Sequence, residues 1–303
     1  MPATAQTILF LEKVFLRPPP DPLRGVELFN LRLIGDLLDL GHRVHVPLHD
    51  RWMDLVKGRH GAGDNRLHCL AVGAGVPKII WRLWRAVRRA RIDVIFVANV
   101  GNRLIPVLAL LRRIARGRLV LLAHREAAPR FVRALKPWPA VIVAVNEQIA
   151  RPFRAAGFPR VAVDYGIMDA DRYFPAEPRA TGPVRFVVLG ALDNAWKGAD
   201  TAIAAFRMLP DAVRVGCELH LASYLQPPRE LGPGIVAHAW KPASEIPAFL
   251  RSMDVMVCPS RDEEVMRETF SQAIVQGLLT GLPILASDLP IFREKLDAGG
   301  GLI

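Results

Sequence analysis

The sequence predicts a doubly wound α/β protein made of two parallel-sheet domains. Three observations carry this. Short apolar runs, among them 93–98, 140–145 and 184–189, recur along the chain, as strands buried on both faces do. Amphipathic stretches of helical period lie between them, so strand and helix alternate. A stretch rich in proline, glycine and charge, 175–183, divides the 303 residues into two pieces of ordinary domain size. The expected domains are 1–175 and 176–303, and such sheets hold ligands at the carboxyl ends of their strands.

In the first piece, 7–16 reads as a strand and 17–21, with three prolines, as a loop. Arg24-Gly25-Val26-Glu27 opens a helix over 28–40 that stops at Gly41, and 43–48 is the second strand. Gly25 lets the backbone approach a ligand or simply makes a tight turn. Residues 50–76, polar and carrying five glycines, read as an irregular surface connection. A helix over 77–91 places Ile79, Ile80, Leu83, Trp84 and Val87 on one side. Lys78, Arg82, Arg85, Arg88, Arg89 and Arg91 cover much of the rest. That helix is either a packed surface helix with solvated arginines or one lying on anionic lipid, with Trp81 or Trp84 at the headgroups. Two more basic patches, 112–118 and 130–136, follow on either side of a strand, 119–123. This strand ends at His124, where α/β sheets hold ligands, although structural histidines also occupy strand ends. Asn146 is placed to cap a helix over 147–156.

The second piece opens with the strand 184–189 and Gly190. The loop 191–196 and Lys197-Gly198 then lead into a helix over 199–209. Runs at 218–222, 235–239 and 255–259 are further strands, with a helix over 244–253. The stretch from Glu268 to Pro283 reads as a loop, a helix and a glycine stop before the strand 284–287. Three features meet at one face here. Lys197 follows the first strand, where a cation would meet a phosphate. The backbone N–H groups of Thr269, Phe270 and Ser271 begin a helix and can bind an anion. Gln276 can bond hydroxyl groups. Together they suit a diphosphate with a ribose attached, and two Rossmann-like domains facing across a cleft are the natural assembly.

Charge and composition narrow the classes. Of a net charge of +11, residues 1–175 hold 28 Lys/Arg against 14 Asp/Glu, and 176–303 hold 12 against 15. A basic first half calls for an anionic partner: nucleic acid, a membrane surface or a phosphorylated substrate. Nucleic acid is disfavoured, because the cations lie on helices rather than among aromatic platforms and no recognition signature is present. No apolar run approaches the roughly 18 residues that span a bilayer. Three scattered cysteines without metal spacing fit a reducing cytoplasm. A nicotinamide enzyme is disfavoured because neither first strand is followed by G-x-G-x-x-G.

At this point the chain resembles a known family. Gly190-Ala191-Leu192, Lys197-Gly198-Ala199-Asp200, Pro259-Ser260, Glu268 with Gln276 eight residues on, and Gly281-Leu282-Pro283 look like the retaining GT-B glycosyltransferases of the family 4 group (glycosyl transferases group 1). Arg24-Gly25-Val26-Glu27, 143–148 and Tyr165-Gly166-Ile167 through Tyr173-Phe174-Pro175 extend the likeness over almost the whole chain.

The resemblance implies a GT-B fold and transfer of a sugar from a UDP- or GDP-sugar donor, with no metal or other cofactor. It implies that Lys197 holds the donor diphosphate, near Gly190 and the Thr269–Ser271 helix start. Glu268 faces the sugar and Gln276 takes the ribose-binding position. Trp240 and Lys241 cover the base, His124 approaches the sugar from the other domain, and Gly25 and Glu27 line the acceptor side. The acceptor would be envelope-type or lipid-linked, and the protein cytoplasmic, peripheral on the inner face of the membrane.

Three departures from the family pattern stand out. Ala191 replaces a basic residue, Gln276 replaces a second glutamate, and the loop before Glu268 carries Asp262, Glu263 and Glu264 as alternative sugar-facing carboxylates. The chain also stops before the helices with which family members usually continue, as a short or truncated member would. A non-catalytic relative with an eroded donor site is the competing reading, and an epimerase on the same architecture ranks behind it.

Overall fold

The apolar runs become strands and the amphipathic stretches helices, in two separate units. The computed structural model describes residues 4–20, 23, 25–60, 64–71, 76–98, 101–114, 117–164, 170–177, 181–223, 231–262, 268, 271–297 and 301–302. The units are Met1–Ile167 and Met168–Ile303.

The first unit runs β1 (Thr7–Leu11), α1 (Gly25–Asp39), β2 (Arg43–Leu48), α2 (Met53–His60), β3 (Leu67–Ala71), α3 (Val76–Ala90) and β4 (Val94–Val97). It continues with α4 (Ile105–Ile114), β5 (Arg118–Ala123), α5 (Pro129–Leu135), β6 (Ala140–Ala144), α6 (Glu147–Ala155) and β7 (Val161–Val163). Its seven strands are ordered β3-β2-β1-β4-β5-β6-β7, and every pairing is parallel. Such strands are buried on both faces, which is why Leu9, Phe10, Val44, Ile95, Leu121 and Ile142 are inaccessible to solvent. Asn146 caps α6 as expected, its Oδ1 accepting the Ile149 N–H at 2.8 Å.

Two stretches differ from expectation. The strand expected over 7–16 ends at Leu11, because Glu12 accepts the Val14 N–H and starts a 3-10 turn, Lys13–Leu16. The stretch 50–76, expected to be irregular, contains α2 and β3. On α2 only Val56 is buried, and β3 is a partly buried edge strand, so neither shows clear hydrophobic periodicity. Trp52 anchors the segment: fully buried, it sets its ring edge-on to Phe15 and donates its indole N–H to the Arg17 carbonyl at 2.7 Å.

The second unit runs β8 (Val184–Gly190), α7 (Ala199–Arg207), α8 (Asp211–Arg214), β9 (Cys217–Ser223), β10 (Ile235–His238) and α9 (Ile246–Arg251). It ends with β11 (Val255–Cys258), α10 (Gln272–Leu279), β12 (Ile284–Ala286), α11 (Pro290–Leu296) and β13 (Gly301–Leu302). The parallel order is β10-β9-β8-β11-β12-β13. This is the dinucleotide-fold order 3-2-1-4-5-6, and the first six strands of unit one repeat it. Order reverses between β8 and β11, so the loops leaving these two neighbours part and open a crevice.

A core cluster holds each face of the second sheet: Val188, Ala202, Phe206, Leu219 and Leu221 on one, and Val187, Leu250, Met256, Ile274, Ile284 and Phe292 on the other. A Cβ on Gly277 would lie 2.7 Å from both the Ile284 Cδ1 and the Met256 Sδ. That glycine lets α10 settle on β11 and β12 with its first residue at the crevice. The second unit starts before residue 176, where composition had set it, because Tyr173 is 8% exposed within this core.

Candidate donor site

The crevice between β8 and β11 is built by two loops in contact. Gly190 ends β8 at φ +147, and the turn after it is tied by Leu192 N–H to Ser223 Oγ at 3.2 Å. A single 3-10 turn, Ala195–Lys197, follows and is closed by Gly198 at φ +71. A Cβ on Gly198 would lie 1.9 Å from the Pro259 carbonyl oxygen, just past β11. Only glycine fits there, on grounds of both angle and space.

This approach delivers Lys197 to Glu268. Lys197 Nζ lies 2.5 Å from Glu268 Oε2, and Ser260 Oγ donates to the same oxygen at 3.3 Å. The other oxygen, Oε1, accepts the Ser271 N–H at 3.1 Å. Ser271 is the N-cap of α10, in the left-handed region at φ 38, and its own side chain does not cap the helix. Glu268 therefore takes the place of a capping side chain at the positive end of α10. The pair is sheltered: the side chains are 19% and 6% exposed. Removing one partner of so buried a pair typically costs about 3–5 kcal/mol. The Trp196 ring backs the ammonium, its centroid 4.3 Å from Nζ. Thr269, Phe270, Glu263 and Glu264 lie outside the described residues; Asp262 is exposed.

Sequence reasoning missed Lys295 on α11. Burial pushes its ammonium down to about 8, while Glu268 and then Glu294 pull the other way. Burial likewise pushes the Cys258 thiol up to about 12, with Glu268 adding to the effect. Lys295 thus brings a second positive charge within electrostatic reach of Glu268, in a domain whose expected basic residue is Ala191. The only hint was its place in an amphipathic stretch, one residue before the buried Leu296.

Gln276 is on α10, and its amide donates to the Tyr173 hydroxyl at 2.9 Å. The side chain expected near a ribose therefore also anchors the segment that begins this unit. Trp240 and Lys241 follow β10, and Lys241 Nζ lies 4.7 Å from the centre of the Phe249 ring. His238 meets the same ring at 4.9 Å.

Behind these residues runs a polar line that the sequence did not announce. Arg185 Nε donates to Glu218 Oε2 at 3.1 Å, and His220 Nε2 lies 3.0 Å from the same oxygen. His220 Nδ1 is 2.8 Å from His238 Nε2. A carboxylate only accepts, so His220 donates its Nε2–H to Glu218, and one proton links its Nδ1 to His238 Nε2. Burial, and then the charges of His220 and Lys241, hold His238 below the ordinary histidine value.

In the first unit His124 follows β5, and its ring meets Phe29 of α1 edge-on, with centroids 5.4 Å apart. Gly25 begins α1, and Glu27 is buried in its first turn. The structure brings the start of α1 and the end of β5 together within this unit. Burial, and secondly Arg125, push His124 down to about 4, so the imidazole is neutral at physiological pH.

Lys295 holds its proton less tightly folded than unfolded. Between pH 8 and its ordinary value of 10.5 the unfolded chain binds more protons, so this group makes stability rise with pH in that window. The stability of Lys295→Met relative to wild type should be highest below pH 8 and should fall as pH approaches 10.5, read from denaturant midpoints. A difference that does not vary with pH would contradict the burial of this charge.

The glycosyl transferases group 1 family model matches residues 183–303. No curated protein sequence matches the chain. Among solved structures, a glycosyltransferase from Rickettsia africae ESF-5 superposes at a TM-score of 0.74 and 13% identity, covering 99% of this chain and 84% of that one. The lipopolysaccharide outer core galactosyltransferase WaaB superposes at 0.66 and 11%, covering 98% and 85%. A UDP-GlcNAc 2-epimerase from Neisseria meningitidis, bound to UDP-GlcNAc, superposes at 0.57 and 12%, covering 98% and 86%. At such identities the structural likeness speaks for the fold, and the family match speaks for the chemistry. The chain has the fold of the GT-B glycosyltransferases, and its residues 183–303 match the glycosyl transferases group 1 family model.

Proposed function

We propose that the chain is a retaining glycosyltransferase that moves a sugar from a UDP- or GDP-sugar to an envelope-type or lipid-linked acceptor at an anionic membrane surface. The observation that carries the donor half is the meeting of Lys197, Glu268 and the Ser271 N–H at the β8/β11 crevice. A nucleotide diphosphate competes with Glu268 for the ammonium and for the helix end, both of which favour a dianion. Glu268, displaced from them, turns to the sugar hydroxyls, and the free amide oxygen of Gln276 is offered to the ribose.

In this reading Lys197 and the start of α10, rather than a metal ion, stabilise the departing diphosphate. The acceptor hydroxyl attacks the anomeric carbon from the leaving group's own face. Its oxygen bonds to that carbon as the carbon–phosphate oxygen bond breaks, and a phosphate oxygen takes the proton. Retention then needs no protein nucleophile. Within the first unit His124, neutral at physiological pH, offers a hydrogen-bonding group for a sugar hydroxyl, and Gly25 and Glu27 line the acceptor side.

The membrane half rests on α3, α4 and α5. Arg82, Arg85, Arg88 and Arg89 on α3, Arg112 and Arg113 on α4, Arg130 and Arg133 on α5 and Lys136 just after it are all exposed, and neighbouring helices of the three touch. Leu83 and Val87, however, are 4% and 3% exposed. These apolar side chains serve the protein's own interior and cannot lie in lipid. Docking is therefore electrostatic, at about 1 kcal/mol per cation near the surface, with the exposed Trp81 as its aromatic anchor. Among the described residues no helix is long and apolar enough to cross a membrane.

Transfer assays with a panel of UDP- and GDP-sugars should show Lys197→Ala and Glu268→Ala each lowering kcat/KM by roughly a hundredfold or more. Unchanged turnover in both variants would remove the site assignment. Co-sedimentation with phosphatidylserine vesicles should exceed that with neutral vesicles and collapse between low salt and about 0.5 M, where charges are screened within a few ångström. Binding indifferent to lipid charge and to salt would end the docking proposal.

A further inference from the structure

The turn that presents Lys197 is a single 3-10 turn between β8 and α7. A lone 3-10 turn leaves its last carbonyl groups without helical partners. Within this turn the Ala195 carbonyl accepts one bond, from the Gly198 N–H at 3.0 Å, and keeps a second lone pair, while the Trp196 carbonyl is met from outside the turn. Arg261, close after the end of β11, meets the need. Its backbone N–H donates to the Trp196 carbonyl at 2.7 Å, and its Nη2 donates to the Ala195 carbonyl at 2.6 Å. Its Nη1 donates to Asp200 Oδ2 at 3.1 Å, in the first turn of α7.

A cation at the carbonyl end of a turn is also where the backbone dipoles favour it. The consecutive residues Pro259, Ser260 and Arg261 thus engage everything around the ion pair. Pro259 abuts Gly198, Ser260 donates to Glu268, and Arg261 clasps the turn that carries Lys197.

We infer that Arg261 is a positioning residue for the donor diphosphate, capping the Ala195–Lys197 turn so that Lys197 stays in place, without itself touching nucleotide or sugar. The inference rests on the reading of Lys197 as the phosphate-binding cation. The Asp200 contact contributes little, since Arg261 and Asp200 side chains are 42% and 65% exposed and water screens them. The bond that matters runs from the guanidinium to the Ala195 carbonyl. A lysine at this position has no planar fork and reaches at most one of the two partners at a time.

A double-mutant cycle separates positioning from general damage. UDP and GDP are titrated calorimetrically into wild type, Lys197→Ala, Arg261→Leu and the double variant, with thermal melts of each to establish folding. Arg261→Leu should weaken binding of the nucleotide that wild type binds by roughly tenfold, and should cost nothing further once Lys197 is gone. Arg261→Lys should recover part of the loss, and it runs the same cycle if the leucine variant does not fold. An equal loss in both backgrounds, or no loss in either, overturns the role of Arg261 while leaving the donor site standing. Lys197→Ala that binds nucleotide as wild type does overturns the donor-site reading, and this inference with it.

Discussion

The second unit is organised by how closely the turn after β8 approaches the end of β11. Adjacent parallel strands whose connections leave in opposite directions open a crevice wherever they lie. What turns this crevice into a site is Gly198, which alone lets the turn lie against the Pro259 carbonyl. Any side chain there would push the loops apart and carry Lys197 away from Glu268. Arg261 and Ser260 act on the same joint from the β11 side. The site is therefore a property of two loop ends held in register by backbone contact, rather than of any one helix.

Charge explains why such a joint suits a diphosphate. Glu268 is nearly buried and is shared among an ammonium, a serine hydroxyl and a helix N–H, with Lys295 close enough to influence it. Two ammonium groups, Lys197 in contact and Lys295 at longer range, thus act on this one carboxylate. An incoming dianion has several donors ready to receive it in a sheltered place where electrostatic interactions are strong.

Much of the fold was legible because parallel strands buried on both faces leave apolar runs, and because the Asn146 cap depends on a few neighbouring residues. The candidate donor residues were legible as positions, through Lys197-Gly198 and the spacing from Glu268 to Gln276. Their partners were not. That Lys197 bonds Glu268, that Gln276 bonds Tyr173 and that His220 shares a proton with His238 are facts of pairing across long stretches of chain. No local pattern encodes them. Nor did the pattern reveal that Leu83 and Val87 point inward, since an amphipathic helix looks the same whether its apolar side meets a sheet or a bilayer.

The most direct test of the central claim is a crystal structure of the chain soaked with UDP or GDP. The account predicts diphosphate oxygens within about 3 Å of Lys197 Nζ and the Ser271 N–H, with the Lys197–Glu268 contact opened. A nucleotide bound elsewhere, with that ion pair intact, would contradict it.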